Sequence, residues 1–158
     1  MSGTPQGTSP QLRALRGATT APANSAEAIG EAVAELLDAL VERNRLEPEQ
    51  LVSITFSVTA DLDACFPAAI ARRRAGWDGV ALLDCQQMAV AGDLPRCIRL
   101  LAHAWLAVGQ PVGHAYLREA SRLRPDLATV PQGTAPQGSA PQGSAPQGSA
   151  PQGSVPQS

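Results

Sequence analysis

With 158 residues, 44% of them hydrophobic, the chain is long enough for one packed domain plus extensions. Aromatic residues make up only 3%, so the core has to be aliphatic, and a formal net charge of -2 provides no overall field to attract nucleic acid or an anionic membrane. An anion site in such a body has to be a local gathering of arginines. The cysteines Cys65, Cys85 and Cys97 lie in apolar segments without C-x-x-C spacing. That pattern fits buried free thiols in a reducing compartment better than disulfides or a zinc site. Neither a charged-then-apolar signal pattern nor a bilayer-length apolar run is present, so a cytoplasmic protein without membrane or nucleic-acid partners is the expectation.

Residues 1–11 are small, polar and rich in Pro and Gly, the composition of a disordered leader. Leu12 to Thr20 alternates as a strand does, and Arg16-Gly17 reads as its end, with Arg16 at the rim of a sheet. A solvated edge arginine is the plainer account of that residue. Asn24 to Asn44 is an amphipathic helix: Ile29, Val33, Leu36, Leu37, Leu40 and Val41 share one face, and Asn24 with Glu27 makes a capping box. Pro48 starts a short turn. Leu51 to Ala60 is a strand that alternates Val52, Ile54, Phe56 and Val58 with Ser53, Thr55 and Ser57.

Cys65 to Gly76 reads as a helix with Pro67 in its first turn and Gly76 as its stop. Arg72, Arg73 and Arg74 then complement the helix dipole, unless Arg72 points back over the start of the helix. Gly79 to Asp84 is a near-continuous apolar run, the pattern of a strand covered on both faces, and Asp84 and Gln87 stand at its exit. A turn-forming aspartate is the duller reading. Gly92 to Pro95 is a loop. His114 to Arg124 has helical propensity, yet Tyr116, Arg118 and Ala120 also alternate as a strand would.

Arg99 stands inside Cys97-Ile98-Arg99-Leu100-Leu101-Ala102, an apolar stretch that should be a central strand. Arginine cannot shed its charge, and burying it unpaired is costly. It must therefore meet an internal carboxylate, meet an anionic ligand, or snorkel to the rim of the sheet. From residue 129 onward a strict Ala-Pro-Gln-Gly-Ser repeat runs to Ser158, with nothing to offset its chain entropy. That segment reads as a disordered tether, with a recruitment motif as the alternative.

Five stretches taken together carry a family resemblance. They are Leu15-Arg16-Gly17-Ala18-Thr19-Thr20, Asp61 to Ala68 (DLDACFPA), Gly76-Trp77, Leu94 to Arg99 (LPRCIR), and Tyr116-Leu117 through Leu123-Arg124-Pro125-Asp126-Leu127. In this order and spacing, residues 12–128 resemble the monofunctional AroH-type chorismate mutases. The resemblance implies an α/β (α+β) fold: a mixed five-stranded sheet packed on helices, assembled as a homotrimeric pseudo-α/β barrel with each site between two subunits. It implies a cofactor-free, metal-free rearrangement of chorismate to prephenate. It also matches Arg99 to the catalytic cation at the ether oxygen, and Arg16 and Tyr116 to residues that hold the side-chain carboxylate. Arg72 and Arg124 match the outer arginines, Phe66 and Ala68 the wall against the ring, and Leu123 an apolar contact beside the closing tail. Phe66, Ala68 and Arg72 would come from the neighbouring subunit.

Two departures stand out. Where the family commonly has Cys and Glu near the ring hydroxyl, this chain has Asp84 and Gln87, so Asp84 is expected to supply the carboxylate and Gln87 a neutral partner. Ala69 stands where the family can carry a lysine. Two non-enzymatic readings compete with the mutase: a carboxylate-binding sensor on the same trimeric fold, and an adaptor whose working part is the repeat tail.

Overall fold

The computed structural model describes residues 8–128. The leader falls mostly, and the repeat tail wholly, outside them. Five strands form one mixed sheet in the order β3-β2-β4-β1-β5. They are β1 (Gln11–Thr20), β2 (Leu51–Val58), β3 (Ala81–Gln86), β4 (Cys97–Leu106) and β5 (Ala115–Tyr116). β4 is central and antiparallel to both β1 and β2, while β3 runs parallel to β2 and β5 parallel to β1.

Helix α1 (Ala26–Asn44) lies on one face of the sheet, burying Ile29, Ala32, Val33, Leu36, Leu37 and Leu40. These pack with Leu15, Ile54, Phe56, Ile98, Leu100 and Ala102 in one largely aliphatic core that also takes in Trp77. The cap differs from the expected one. Ser25 is the N-cap and its Oγ accepts the Ala28 N–H at 3.1 Å. Asn24 instead ties the helix to the loop before α2, accepting the N–H groups of Asp63 and Ala64 and donating to Asp63 Oδ1 at 2.7 Å. At its other end α1 closes on Arg45 in the left-handed conformation (φ 50°).

Other expectations are corrected by tertiary packing. Strand β1 does not end at Arg16; it runs on to Thr20, paired with β4 from Gln11↔Leu106 to Thr20↔Cys97. Gly17 serves close packing rather than a turn, since a Cβ there would stand 3.0 Å from Leu100 Cγ and 3.1 Å from Leu36 Cδ1. Helix α2 spans only Pro67–Arg72, because the N–H groups of Arg73 and Arg74 reach back three residues instead of four. Strand β3 lies at one edge of the sheet and is covered on one face only, leaving Leu83 57% exposed. Of the cysteines only Cys97 is buried; Cys85 is exposed and Cys65 half-buried. The ambiguous segment after His114 resolves into the two residues of β5 and a 3-10 helix over Arg118–Leu123, followed by the short α3 (Pro125–Ala128). Among the described residues no helix is long and apolar enough to cross a membrane.

Candidate active site

Among the described residues no helix covers the second face of the sheet, and the register arranges that face's residues in rows. One row crosses all five strands: Cys85, Ser57, Arg99, Ala18 and Tyr116. The next carries Leu83, Thr55, Leu101 and Arg16. Directly paired residues in neighbouring strands share a face, so Arg16, Arg99 and Tyr116 stand together on the uncovered side. Ala18 and Ser57, the neighbours of Arg99 across the ladder, are both small; Ala18 is buried and Ser57 half-buried.

Arg99 is neither buried nor alone. Its side chain is 35% exposed, and Nη2 donates to Asp93 Oδ1 at 2.9 Å. Asp93 belongs to the loop just before β4, and its carboxylate also accepts the side-chain amide of Gln87 and, at 2.8 Å, the Leu94 N–H. The Leu94 N–H first, then the charge and hydrogen bond of Arg99 and the Gln87 amide, hold the Asp93 carboxyl below its ordinary value against some desolvation. Gln87 is placed by its own backbone, whose N–H extends the β2–β3 pairing onto Val58 O at 2.8 Å. A cleft of about 430 Å³ opens beside these groups, lined in part by Thr59, Asp61, Gln87, Met88 and Asp93.

Toward β5, His114 Nδ1 accepts the backbone N–H of Arg16 at 2.9 Å, so the ring takes a ladder position. Burial first, then the charges of Arg16 and Arg124, lower the pKa of His114 from 6.5. Arg124 itself is paired in a fork with Asp126, at 3.0 and 2.8 Å. Leu123, half-buried, closes the 3-10 helix beside it.

Phe66, Ala68, Arg72 and Asp84 form a separate group. Asp84 pairs with Phe56 in the ladder and so faces the helix side, where its Oδ1 accepts the Ala68 N–H at 3.0 Å. Burial raises the Asp84 carboxyl above its ordinary value, opposed by the Ala68 N–H and by the charge of Arg72. Phe66 is 72% exposed, its ring unpartnered by the core. Phe66 and Asp84 line a cleft of about 390 Å³ together with Cys65, Pro67, Cys85 and Gln86.

A single chain therefore gathers Arg16, Arg99, Gln87 and Tyr116 on one side, and Phe66, Ala68, Arg72 and Asp84 on the other. Sequence reasoning missed Asp93 and His114. The signal for Asp93 was an acid in the loop leading straight into the strand of Arg99; nothing in the sequence marked His114 as a ladder partner. Of the arginines after α2, Arg74 is structural: it pairs with Asp38 at 2.7 Å and lies over the Trp77 ring, 5.0 Å from its centroid.

Comparison with known proteins bears on this arrangement. The family model for chorismate mutase type I matches residues 12–127. The chorismate mutase AroH of Bacillus subtilis (strain 168) is 38% identical over 118 residues, 74% of this chain and 93% of that protein. Its counterpart from Thermus thermophilus is 45% identical over 118 residues, 73% of this chain and 96% of that protein. The solved structure of a chorismate mutase from Clostridium thermocellum superposes with a TM-score of 0.66 at 40% identity, covering 70% of this chain and 98% of that one. With its fold, its motifs and nearly the full length of these relatives in common, the chain belongs to the type I chorismate mutase family.

Proposed function

We propose that this protein converts chorismate to prephenate, a step toward phenylalanine and tyrosine, at sites shared between the protomers of a homotrimer. The observation that carries the reading is the gathering of Arg16, Arg99 and Tyr116 on the uncovered sheet face, with small residues on both sides of Arg99. The reaction is a [3,3] rearrangement: one C–O bond breaks as one C–C bond forms, with no covalent enzyme intermediate. Negative charge grows on the ether oxygen only while that bond is half broken. A fixed cation aimed at that oxygen lowers the barrier, and further cations hold the two carboxylates in the compact conformer. Arg99 takes the first role. Arg16 and Tyr116 hold the side-chain carboxylate, while Arg72 and Arg124 take the ring carboxylate and the mouth of the site. Arginine suits this work because its planar fork bridges two oxygens and its charge is permanent.

The separation of the two groups favours sites shared between protomers, as in a homotrimer. Phe66, Ala68, Arg72 and Asp84 complete the site of a neighbouring protomer, where Phe66 and Ala68 wall the ring and Leu123 packs beside it. Asp84 and Gln87 then meet near the ring hydroxyl. The exposed Leu12, Leu83, Leu101 and Trp105 share the uncovered face and would be buried by assembly.

The test is the loss of chorismate ultraviolet absorbance with purified protein. Arg99→Ala is expected to lower kcat by roughly 10²–10³-fold or more, the scale of losing a preorganised transition-state donor. Wild-type protein that binds chorismate without consuming it would support the sensor reading instead. Sedimentation equilibrium showing a monomer would remove the intersubunit site.

A further inference from the structure

We infer that Asp93 is a positioning residue of this site: its carboxylate fixes both the Arg99 guanidinium and the amide orientation of Gln87. This deepens the mutase reading and rests on it. An ionised carboxylate can only accept hydrogen bonds. Asp93 accepts three times, from Arg99 Nη2 at 2.9 Å, from the Leu94 N–H at 2.8 Å, and from Gln87 Nε2. The Gln87 amide must therefore turn its NH2 toward Asp93, which sends Oε1 the other way. That oxygen is buried, and it has no hydrogen-bond partner among the described residues.

A buried acceptor without a donor is unfavourable unless something arrives to fill it. Its complement is a hydroxyl group, and chorismate carries one on its ring. Arg99, meanwhile, commits one N–H to Asp93, so its fork loses rotational freedom while its other donors stay available to the substrate. Asp93 is itself held. Its N–H bonds Val90 O at 3.1 Å, Gly92 before it turns in the left-handed region (φ 81°), and Leu94 N–H grips its side chain. Asp84, the carboxylate expected from the sequence, lies on the opposite face of the sheet of the same chain and cannot orient this Arg99.

The experiment measures kcat and KM for chorismate in Asp93→Ala, Asp93→Glu, Gln87→Glu and the double variant Gln87→Glu with Asp93→Ala. Thermal midpoints and sedimentation are recorded for each. Asp93→Ala is expected to lower kcat about 10–100-fold with a smaller change in KM, because transition-state alignment is lost more than ground-state binding. Asp93→Glu should recover part of that loss.

The deciding readout is a reversal of sign. Gln87→Glu lowers activity beside Asp93, where two carboxylates repel, but raises it in the Asp93→Ala background by restoring an anion within reach of Arg99. A purely structural Asp93 would give Gln87→Glu the same effect in both backgrounds, which overturns the inference. So does Asp93→Ala with unchanged kcat and a lower KM, the mark of a counter-ion that merely competes with substrate. An inactive wild type would overturn the mutase reading itself, whereas an active wild type indifferent to Asp93→Ala removes only this inference.

Discussion

Replacing Asn44 by Ala tests how the last turn of α1 holds the approach to β5. The Asn44 side chain is 1% exposed and makes three hydrogen bonds. Nδ2 donates to Leu40 O at 2.8 Å and Gly113 O at 2.7 Å, and Oδ1 accepts the Gly113 N–H at 2.7 Å. Leu40 O lies inside the helix and retains its backbone donor. Gly113 has no other hydrogen-bond partner among the described residues, so Asn44→Ala strands one buried N–H and one buried C=O. At about 1–3 kcal/mol for each stranded group the loss is about 2–6 kcal/mol, with the lower half applying if water enters. Against a total of about 5–15 kcal/mol for a domain, that is a large fraction. Urea unfolding at fixed protein concentration reads it as a lower midpoint at unchanged slope. Because Tyr116 follows Gly113 by three residues, KM for chorismate should rise in the folded variant. A midpoint shift worth less than about 0.5 kcal/mol would refute the reasoning, because it would mean that Gly113 finds other partners.

Further outcomes follow from the same geometry. Arg99→Lys keeps a charge but not the fork, so kcat should fall less than in Arg99→Ala and still by about 10-fold or more; equal rates for Lys and Arg would exclude a bridging role. His114 has a folded pKa below 6.5, so as the pH falls the unfolded chain takes the proton first. The corresponding stability is fully present above 6.5 and is lost below it, down to the folded value. Thermal midpoints at about pH 7.5 and about pH 5.5 should therefore differ more in wild type than in His114→Gln, and parallel profiles would contradict this. Gly76→Ala places a Cβ at φ 81° and 2.9 Å from Pro48 Cβ, which should cost about 1–3 kcal/mol by denaturation. In the absorbance assay Asp84→Ala should reduce turnover; unchanged turnover there, with turnover abolished by Gln87→Ala, would exclude a role for Asp84 as the ring-hydroxyl carboxylate.

Local pattern made much of this protein legible. The period of Ile29, Val33, Leu36, Leu37 and Leu40 announced α1, and alternation announced β2, because side-chain spacing along one element reflects which face that element buries. The motifs around Arg16, Phe66, Arg99 and Tyr116 likewise marked the family. The remaining features depend on groups that folding brings together from distant or irregular chain. Gly17 looks like a turn until Leu36 and Leu100 pack over it. β5 exists for two residues because β1 offers an edge there, against the segment's own helical propensity. Asp84 was the acid expected near the site and Asp93 only part of a loop, yet the pleat sends Asp84 toward α2 while the loop folds Asp93 onto Arg99. Composition and local periodicity identified the charged side chains and most of the segments that bury apolar surface. The sheet register and one short loop decided which carboxylate meets which cation, since ion pairing depends on three-dimensional distance and no local pattern encodes it.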